Sequence, residues 1–558
     1  MKKGFTLIEL LAVIVILAII ALIATPIVLD IIEDSKESAN IQSINSLVDM
    51  AEMYATTNEA TGNLYDKVID KIKGTKPDNG AIYVNKNGEV ALALKYNNKC
   101  YVKAYDSNKI TQSKDENCIV PIDYLMVVDT TNGETQKVFN SEITKSQVEK
   151  IITVSTNEVP SDVIGSFDVS ENQNGSIMAW YKDEDSNGLY ELYIGQDGGV
   201  KANPNSTKLF NYYKNVISMD LSNMDTSNVT NLAGMFQRCE KLLNLDLSGF
   251  NTTNVTTMEA MFNNCLSLQN LNLSSFDTSK VTTMRVMFQS CEKLETLDLS
   301  KFNTVKVEDM RFMFNKCYNL EFLNINNFNT ISVTTMQYMF SECKKLKNLE
   351  LNSFDTANVT NMYAMFQHCE NLQTLDLSNF NTSKVEDMRF MFNNCTKLES
   401  INLNNFDTSN VINMYAMFQH CENLQTLDLS NFKTSKVIDM SLMFNKCSNL
   451  QTLNLNNFNT SNVTNMKAMF SECSNIQSLN LSNFDTSKVT DISYMFDNTE
   501  NLNTININKA DFTKVTIFEY MFNLSGVTSI IVKDETAKTF IEARLLDASI
   551  TDVTVTIG

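Results

Sequence analysis

Residues 244–276 read NLDLSGFNTTNVTTMEAMFNNCLSLQNLNLSSF, one unit of a pattern that recurs through the second half of the chain. Its Met-Phe dipeptide begins at Met235, Met261, Met287, Met313, Met339, Met365, Met391, Met417, Met443, Met469, Met495 and Met521, every step 26 residues without an insertion. Ten cysteines keep the same step from Cys239 to Cys473, before Thr499 and Ser525 take that place. Self-similarity at such a period marks an array of stacked coils. Within the unit, Leu268, Leu271 and Leu273 have the L-x-x-L-x-L rhythm of a strand. Val255, Met258, Met261, Phe262 and Cys265 lie three, three, one and three apart, a spacing that predicts one face of a short helix or helical turn. Phe250 and its equivalents Phe276, Phe302, Phe328 and Phe354 mark the turn leaving the strand. One unit cannot enclose its own apolar residues, whereas coils stacked at roughly 5 Å align them into buried ladders, and twelve such coils make a curved rod on the order of 60 Å long.

The unit NMYAMFQHCENLQTLDLSNF, present identically at 361 and 413, resembles the BspA-like leucine-rich repeats of bacterial surface proteins. The likeness covers about residues 216–532. It implies a leucine-rich solenoid with a general role in adhesion, and no binding motif transfers residue by residue. His368 and His420 are copies within that duplication. The cysteine series reads as small apolar core residues, since neither a CxxC nor a histidine partner accompanies it as zinc would need. One strand residue per coil should face outward: Asp220, Asp246, Asn272, Asp298, Asn324, Glu350, Asp376, Asn402, Asp428, Asn454, Asn480 and Asn506. Acids interleaved with amides dilute like-charge repulsion between coils. The stripe is either a solvated, mutually bonded surface or a binding face for a basic or polar ligand, with Asp246, Asp298, Asp376 and Asp428 as its candidate residues.

The amino terminus carries a second signal. From Leu10 to Leu29 no residue is charged, and as a helix this run extends about 30 Å, the thickness of a bilayer's hydrocarbon core. Lys2 and Lys3 precede it, which keeps the amino end cytoplasmic and exports the rest. Glu9 lies inside the apolar segment, where a carboxylate without a partner costs a few kcal/mol and marks a function or a partner. GFTLIELLAVIVILAII resembles the leader junction of type IV pilins and pseudopilins. The resemblance implies that a prepilin peptidase cuts after Gly4 and methylates the new terminal Phe5. It also implies that Glu9 pairs with the terminal amine of a neighbouring subunit during filament assembly, and that Pro26 loosens the helix there. Beyond Pro26 the helix should continue in amphipathic form through Ile41, Ile44, Leu47, Val48 and Tyr54. AIYVNKNGEVALALKY then reads as a hairpin around Asn87-Gly88, and Cys100 and Cys118 are either a disulfide, as export favours, or two separate buried thiols.

The fold class expected is therefore α+β and multidomain. Residues 1–4 form a leader, 5–60 a pilin helix with 5–29 spanning the membrane, and 61–122 a small β head. Residues 123–215 are a connecting segment and amino-terminal cap, 216–532 the repeats, and 533–558 the closing cap. DEDSNG at Asp183–Gly188 imitates the start of a calcium loop, but Ile194 stands where a bidentate glutamate is required, so a polar turn is expected and no metal or other cofactor. No sorting signal or second apolar span follows, leaving residues 5–29 as the anchor. A formal charge of −20 without a basic stripe argues against nucleic acid. No serine or cysteine nucleophile has a plausible histidine base, so no enzyme is expected. The expected function is a surface pilin-like subunit, minor or at the tip because the solenoid is bulky, displaying a binding array to an extracellular ligand. The alternative is a pseudopilin of a secretion or DNA-uptake apparatus.

Overall fold

A computed structural model describes residues 7–58, 60, 62–85, 88–105, 107–113, 118, 120, 125–129 and 132–558, without the side chains of Glu9, Ile23 and Ile27. Helix α1 runs from Leu7 to Asn58 as one element, with Pro26 inside it. Proline removes an N–H that would bond the carbonyl four residues back, and the helix continues through it. Beyond Asn40, Ile44, Leu47, Val48, Ala51 and Ala55 are buried against the head. The head is a five-stranded antiparallel sheet in sequence order: β1 (Gly62–Asn63), β2 (Asn79–Val84), β3 (Val90–Tyr96), β4 (Lys99–Lys103) and β5 (Thr111–Ser113). The short helix α2 (Tyr65–Val68) and a 3-10 turn follow β1. Alternate residues Ile82, Val84, Leu92 and Leu94 meet α1, while Tyr83, Ala91 and Ala93 line the other face with Cys100. Within the hairpin Ile82 opposes Leu92; Asn87 of its turn lies outside the described residues. Cys100 and Cys118 are joined by a disulfide, and Lys99 Nζ reaches Glu33 of α1 at 2.6 Å.

The following segment contributes β6 (Val148–Val154), β7 (Gly165–Asp168), β8 (Met178–Lys182), β9 (Tyr190–Gly195) and β10 (Val200–Lys201). Strand β6 pairs parallel with β11 (Ser218–Asp220), the first strand of the array. Strand β10 pairs with β12 (Met224–Asp225), and β11 pairs on to β13 (Asn244–Asp246) and then β14 (Asn270–Asn272). The capping segment is thus continuous with the array, in a seven-stranded sheet ordered β14-β13-β11-β6-β9-β8-β7. At the far end Thr504–Ile507, Ser529–Val532 and Thr554–Ile557 pair in parallel, with helix α3 (Glu535–Asp547) as the crossover. The Asp534 side chain caps α3 by accepting the Ala537 N–H.

The array is a β-solenoid of about 14 turns rather than the twelve expected from the Met-Phe count. The count fell short because the first turn places Leu209, Phe210 and Tyr213 where later coils carry Met, Phe and Cys. Phe210 nonetheless stacks on Phe236 at 6.0 Å, and Asn205 bridges Asn231. The last turn is closed by α3 and its flanking strands.

Three rows of bonds join successive coils. Where the strands pair they do so in register, Leu245 opposite Leu271 and Leu297 opposite Leu323, in a ladder that breaks between Asn272 and Thr296 and again further along. A second row of single bridges steps from Asn205 through Thr257, Asp309 and Asn361 to Ile517. The third row replaces the expected helical face. Ala260 and Asn264 adopt φ of 55° and 62°, as do their equivalents in every later coil, so the segment cannot continue as a helix and folds into tight turns. The left-handed region disfavours residues with a Cβ by about 1 kcal/mol or more each. The turn then points its N–H groups along the solenoid axis: Ala260, Phe262 and Asn264 donate to Arg285, Met287 and Gln289 at 2.9, 2.9 and 2.8 Å. Those bonds, and the burial of Met261, Phe262 and Cys265, offset the strain.

A fourth contact closes the corner after each strand. Thr304, buried, donates its hydroxyl to the Asn329 carbonyl at 2.8 Å and accepts the Asn329 N–H at 2.8 Å. Thr252, Thr278 and Thr408 do the same. One hydroxyl so satisfies both backbone polar groups of one residue in the next coil, at a part-buried contact. Phe236 and its equivalents stack at 5.7 Å to Phe262 and 5.5 Å onward to Phe288, whereas Phe276 stacks on Phe302 at 6.3 Å. Equivalent atoms spaced differently at two corners require each coil to be rotated as well as shifted against the last.

Candidate functional site

The two ends of the chain present different surfaces. In α1, Leu7, Ile8, Leu10, Leu11, Ile14, Leu17, Ile20, Leu22, Leu29 and Ile32 are exposed. The helix is long and apolar enough there to cross a membrane, and none of the described residues of that stretch is buried within the chain. Gly4 and Phe5 lie outside the described residues; Glu9 sits in the first turns of α1 with its side chain outside them. Pro26 falls in the same uncovered half. Glu33, past the apolar stretch, is held below the usual carboxylate range by its hydrogen bond from Lys99.

On the strand face of the solenoid, Asp246, Asp298, Asp376 and Asp428 are exposed, and each stands next to an amide or acid of the neighbouring coils; Asp246 opposes Asn272 and Asp376 opposes Asn402. One oxygen of each accepts a backbone N–H two residues on: Ser248 at 3.0 Å, Ser300 at 2.9 Å, Ser378 at 3.0 Å and Ser430 at 2.9 Å. That bond holds each carboxyl below its usual range. The acids therefore close the turn at the end of their strands and leave a second oxygen outward. Phe322 interrupts this polar face, 56% exposed.

The turn edge carries a feature that the periodicity of the core conceals. Phe312, Tyr338, Tyr363, Phe390 and Tyr415 are half-buried and touch in sequence, with ring centroids 4.7, 5.1, 5.7 and 4.9 Å apart. Forked ion pairs border the run. Arg311 holds Asp309 through Nη2 to Oδ2 at 2.6 Å, Arg389 holds Asp387 likewise, and Arg285 meets Glu259. The Arg389 guanidinium lies 4.9 Å from the centre of the Tyr363 ring. Burial pushes the Tyr338 phenol up to about 12. The signal was present in the dipeptides just ahead of Met-Phe (RF, QY, YA, RF, YA), where aromatics alternate between two adjacent positions. In the DEDSNG turn between β8 and β9, Asp183 accepts the N–H groups of Asn187 and Gly188 at 3.0 and 3.1 Å, and Asn187 Nδ2 donates to Glu149 at 3.0 Å. The free cysteines of the array are buried, and each thiol donates to a phenylalanine carbonyl of the preceding coil, Cys343 to Phe314 at 3.2 Å for one.

Residues 1–25 match the prokaryotic N-terminal methylation motif. Three successive stretches, 205–322, 310–427 and 412–531, match a single family model described as Mycoplasma protein of unknown function, DUF285, and together they take in more than half of the chain. The chain belongs to the DUF285 family. The DUF285 repeats thus begin at Asn205, in the turn that lacks Met-Phe, and run to the penultimate strand of the solenoid. No curated protein matches the chain significantly. The methylation motif implies processing by a prepilin peptidase and pilin assembly, and with the apolar helix it suggests membrane insertion before that assembly.

Proposed function

We propose that this chain is a type IV pilin-like subunit that holds its DUF285 solenoid outside the cell as a binding surface. Cleavage after Gly4 and methylation of Phe5 release the helix for assembly, and Glu9 pairs with the amine of an adjacent subunit. The observation that carries this reading is the methylation motif at the head of a helix whose apolar first half has no cover within the chain. Stacking such halves against one another buries them at about 25 cal/mol per Å². The solenoid is bulky, which favours a minor or tip position. Its repeat is read as a BspA-like leucine-rich unit serving adhesion, and no catalysis or nucleic-acid binding is assigned to it.

Two surfaces are candidates for the extracellular ligand: the acid and amide ladder through Asp246, Asp298, Asp376 and Asp428, and the aromatic edge from Phe312 to Tyr415. The aromatic edge is the stronger. Flat rings beside oriented guanidinium and carboxylate groups suit planar or sugar-like faces, whereas each acid already serves its own turn. A pair of strains tests the whole reading. Glu9→Ala should remove the protein from sheared fibres while leaving it in the membrane, and Tyr338→Ala/Tyr363→Ala should leave it in fibres and lower adherence. Undiminished fibre-borne protein in the first strain sinks the assembly role.

A further inference from the structure

Most buried polar side chains among the described residues recur with the coil, and Lys145 is one of those that do not. Lys145 is fully buried, the only lysine so placed among the described residues. It opens a 3-10 turn (Lys145–Gln147) that leads into β6. Its Nζ lies 2.9 Å from Oδ1 of Asn211, a fully buried residue in the first turn of the solenoid, and 3.5 Å from Oδ2 of Asp129, which is also buried. The amide nitrogen of Asn211 donates to Asn132 Oδ1 at 2.9 Å, fixing which end of the amide faces the lysine. The Tyr213 ring covers the amine at 5.3 Å, and its buried hydroxyl has no hydrogen-bond partner. Three reactive groups from separate segments thus meet at one buried point. A buried ion pair alone is seldom worth its desolvation.

We infer that Lys145 and Asn211 become joined by an intramolecular isopeptide bond, formed by the protein itself with Asp129 as the proton-transfer group. The reacting carbon, Cγ of Asn211, is one bond behind the oxygen that Lys145 already touches. Burial lowers the pKa of Lys145 despite the opposing pull of Asp129, which favours the neutral, nucleophilic amine. Nζ adds to Cγ and the carbonyl pair moves onto Oδ1. When that pair returns, the Cγ–Nδ2 bond breaks. The Asp129 carboxylate takes one proton from the Lys145 ammonium to free the amine and relays a second after the addition, and both go to Nδ2, which departs as ammonium. The bond formed is Nζ–Cγ, no electron is gained or lost, and no co-reactant enters. The product staples the capping segment to the first coil across residues 66 apart in sequence.

Intact-mass measurement of the folded, full-length processed chain, followed by proteolysis and fragment sequencing, tests this. The expected chain is lighter by one ammonia and yields a branched peptide joining Lys145 to Asn211. Asn211→Ala and Lys145→Met should each restore the unlinked mass. Asp129→Ala should do so while the array stays resistant to protease; if that variant does not fold, Asp129→Asn takes its place. A folded wild-type chain that keeps the unlinked mass after prolonged incubation overturns the inference. Full linkage in the folded Asp129 variant overturns the role given to that carboxylate.

Discussion

At the scale of single residues, the cysteine row is the clearest case of chemistry silenced by position. Each thiol is enclosed by neighbouring coils, and burial pushes Cys265, Cys317 and Cys395 up to about 12. The thiolate is the reactive form, so at about pH 8 the native array should be inert to a thiol reagent, and ten sulfhydryls should become titratable only on unfolding. The sign for stability follows. The folded state keeps protons that an unfolded chain gives up above its ordinary thiol pKa of about 8.5. The thiol contribution is fully present below that pH and is lost as pH rises above it towards the folded values, and a denaturation midpoint that holds steady from neutrality to about pH 10 would contradict this.

At the scale of elements, the threonine corner carries the clearest energetic consequence. Thr304→Val keeps the shape but removes the hydroxyl that bonds the N–H and C=O of Asn329, a part-buried contact whose loss costs about 1 kcal/mol. Thr304→Ser should retain most of the stability in urea denaturation, so a valine variant as stable as the serine one would show that the hydroxyl is dispensable. Strand register, the head hairpin and the long helix were legible because each is written in a local period. The turn edge was not. Ala260, Val286 and Phe312 occupy left-handed backbone where local preference calls for glycine or asparagine. What holds them there is bonding to the next coil, which no single unit contains. The first turn was hidden by its own substitutions, Leu209 and Tyr213. As for the candidate site, the Asp-Leu-Ser step that closes each acid's turn was readable, but the partner proposed for Glu9 is the amine of another subunit, which no single chain can display.

At the scale of the whole molecule, the unbroken period makes the coil a removable unit. Deleting residues 387–412, one full step, brings Asn361 into register with Asn413 and should leave a folded, protease-resistant array one turn shorter. Deleting one residue fewer or more slips the core ladders onto the surface and should abolish protease resistance; equal tolerance of all three deletions would mean that register is not what holds the stack. The same uniformity shapes how the protein answers a pull between its ends. The bonds between coils lie along the axis, so tension loads them head-on and the weakest end yields first. Each coil that peels away pays out on the order of 90 Å of chain from a slot about 5 Å deep. A cell tethered through such an array would be slowed in stages by a reeling line, and slack would let the coils rewind.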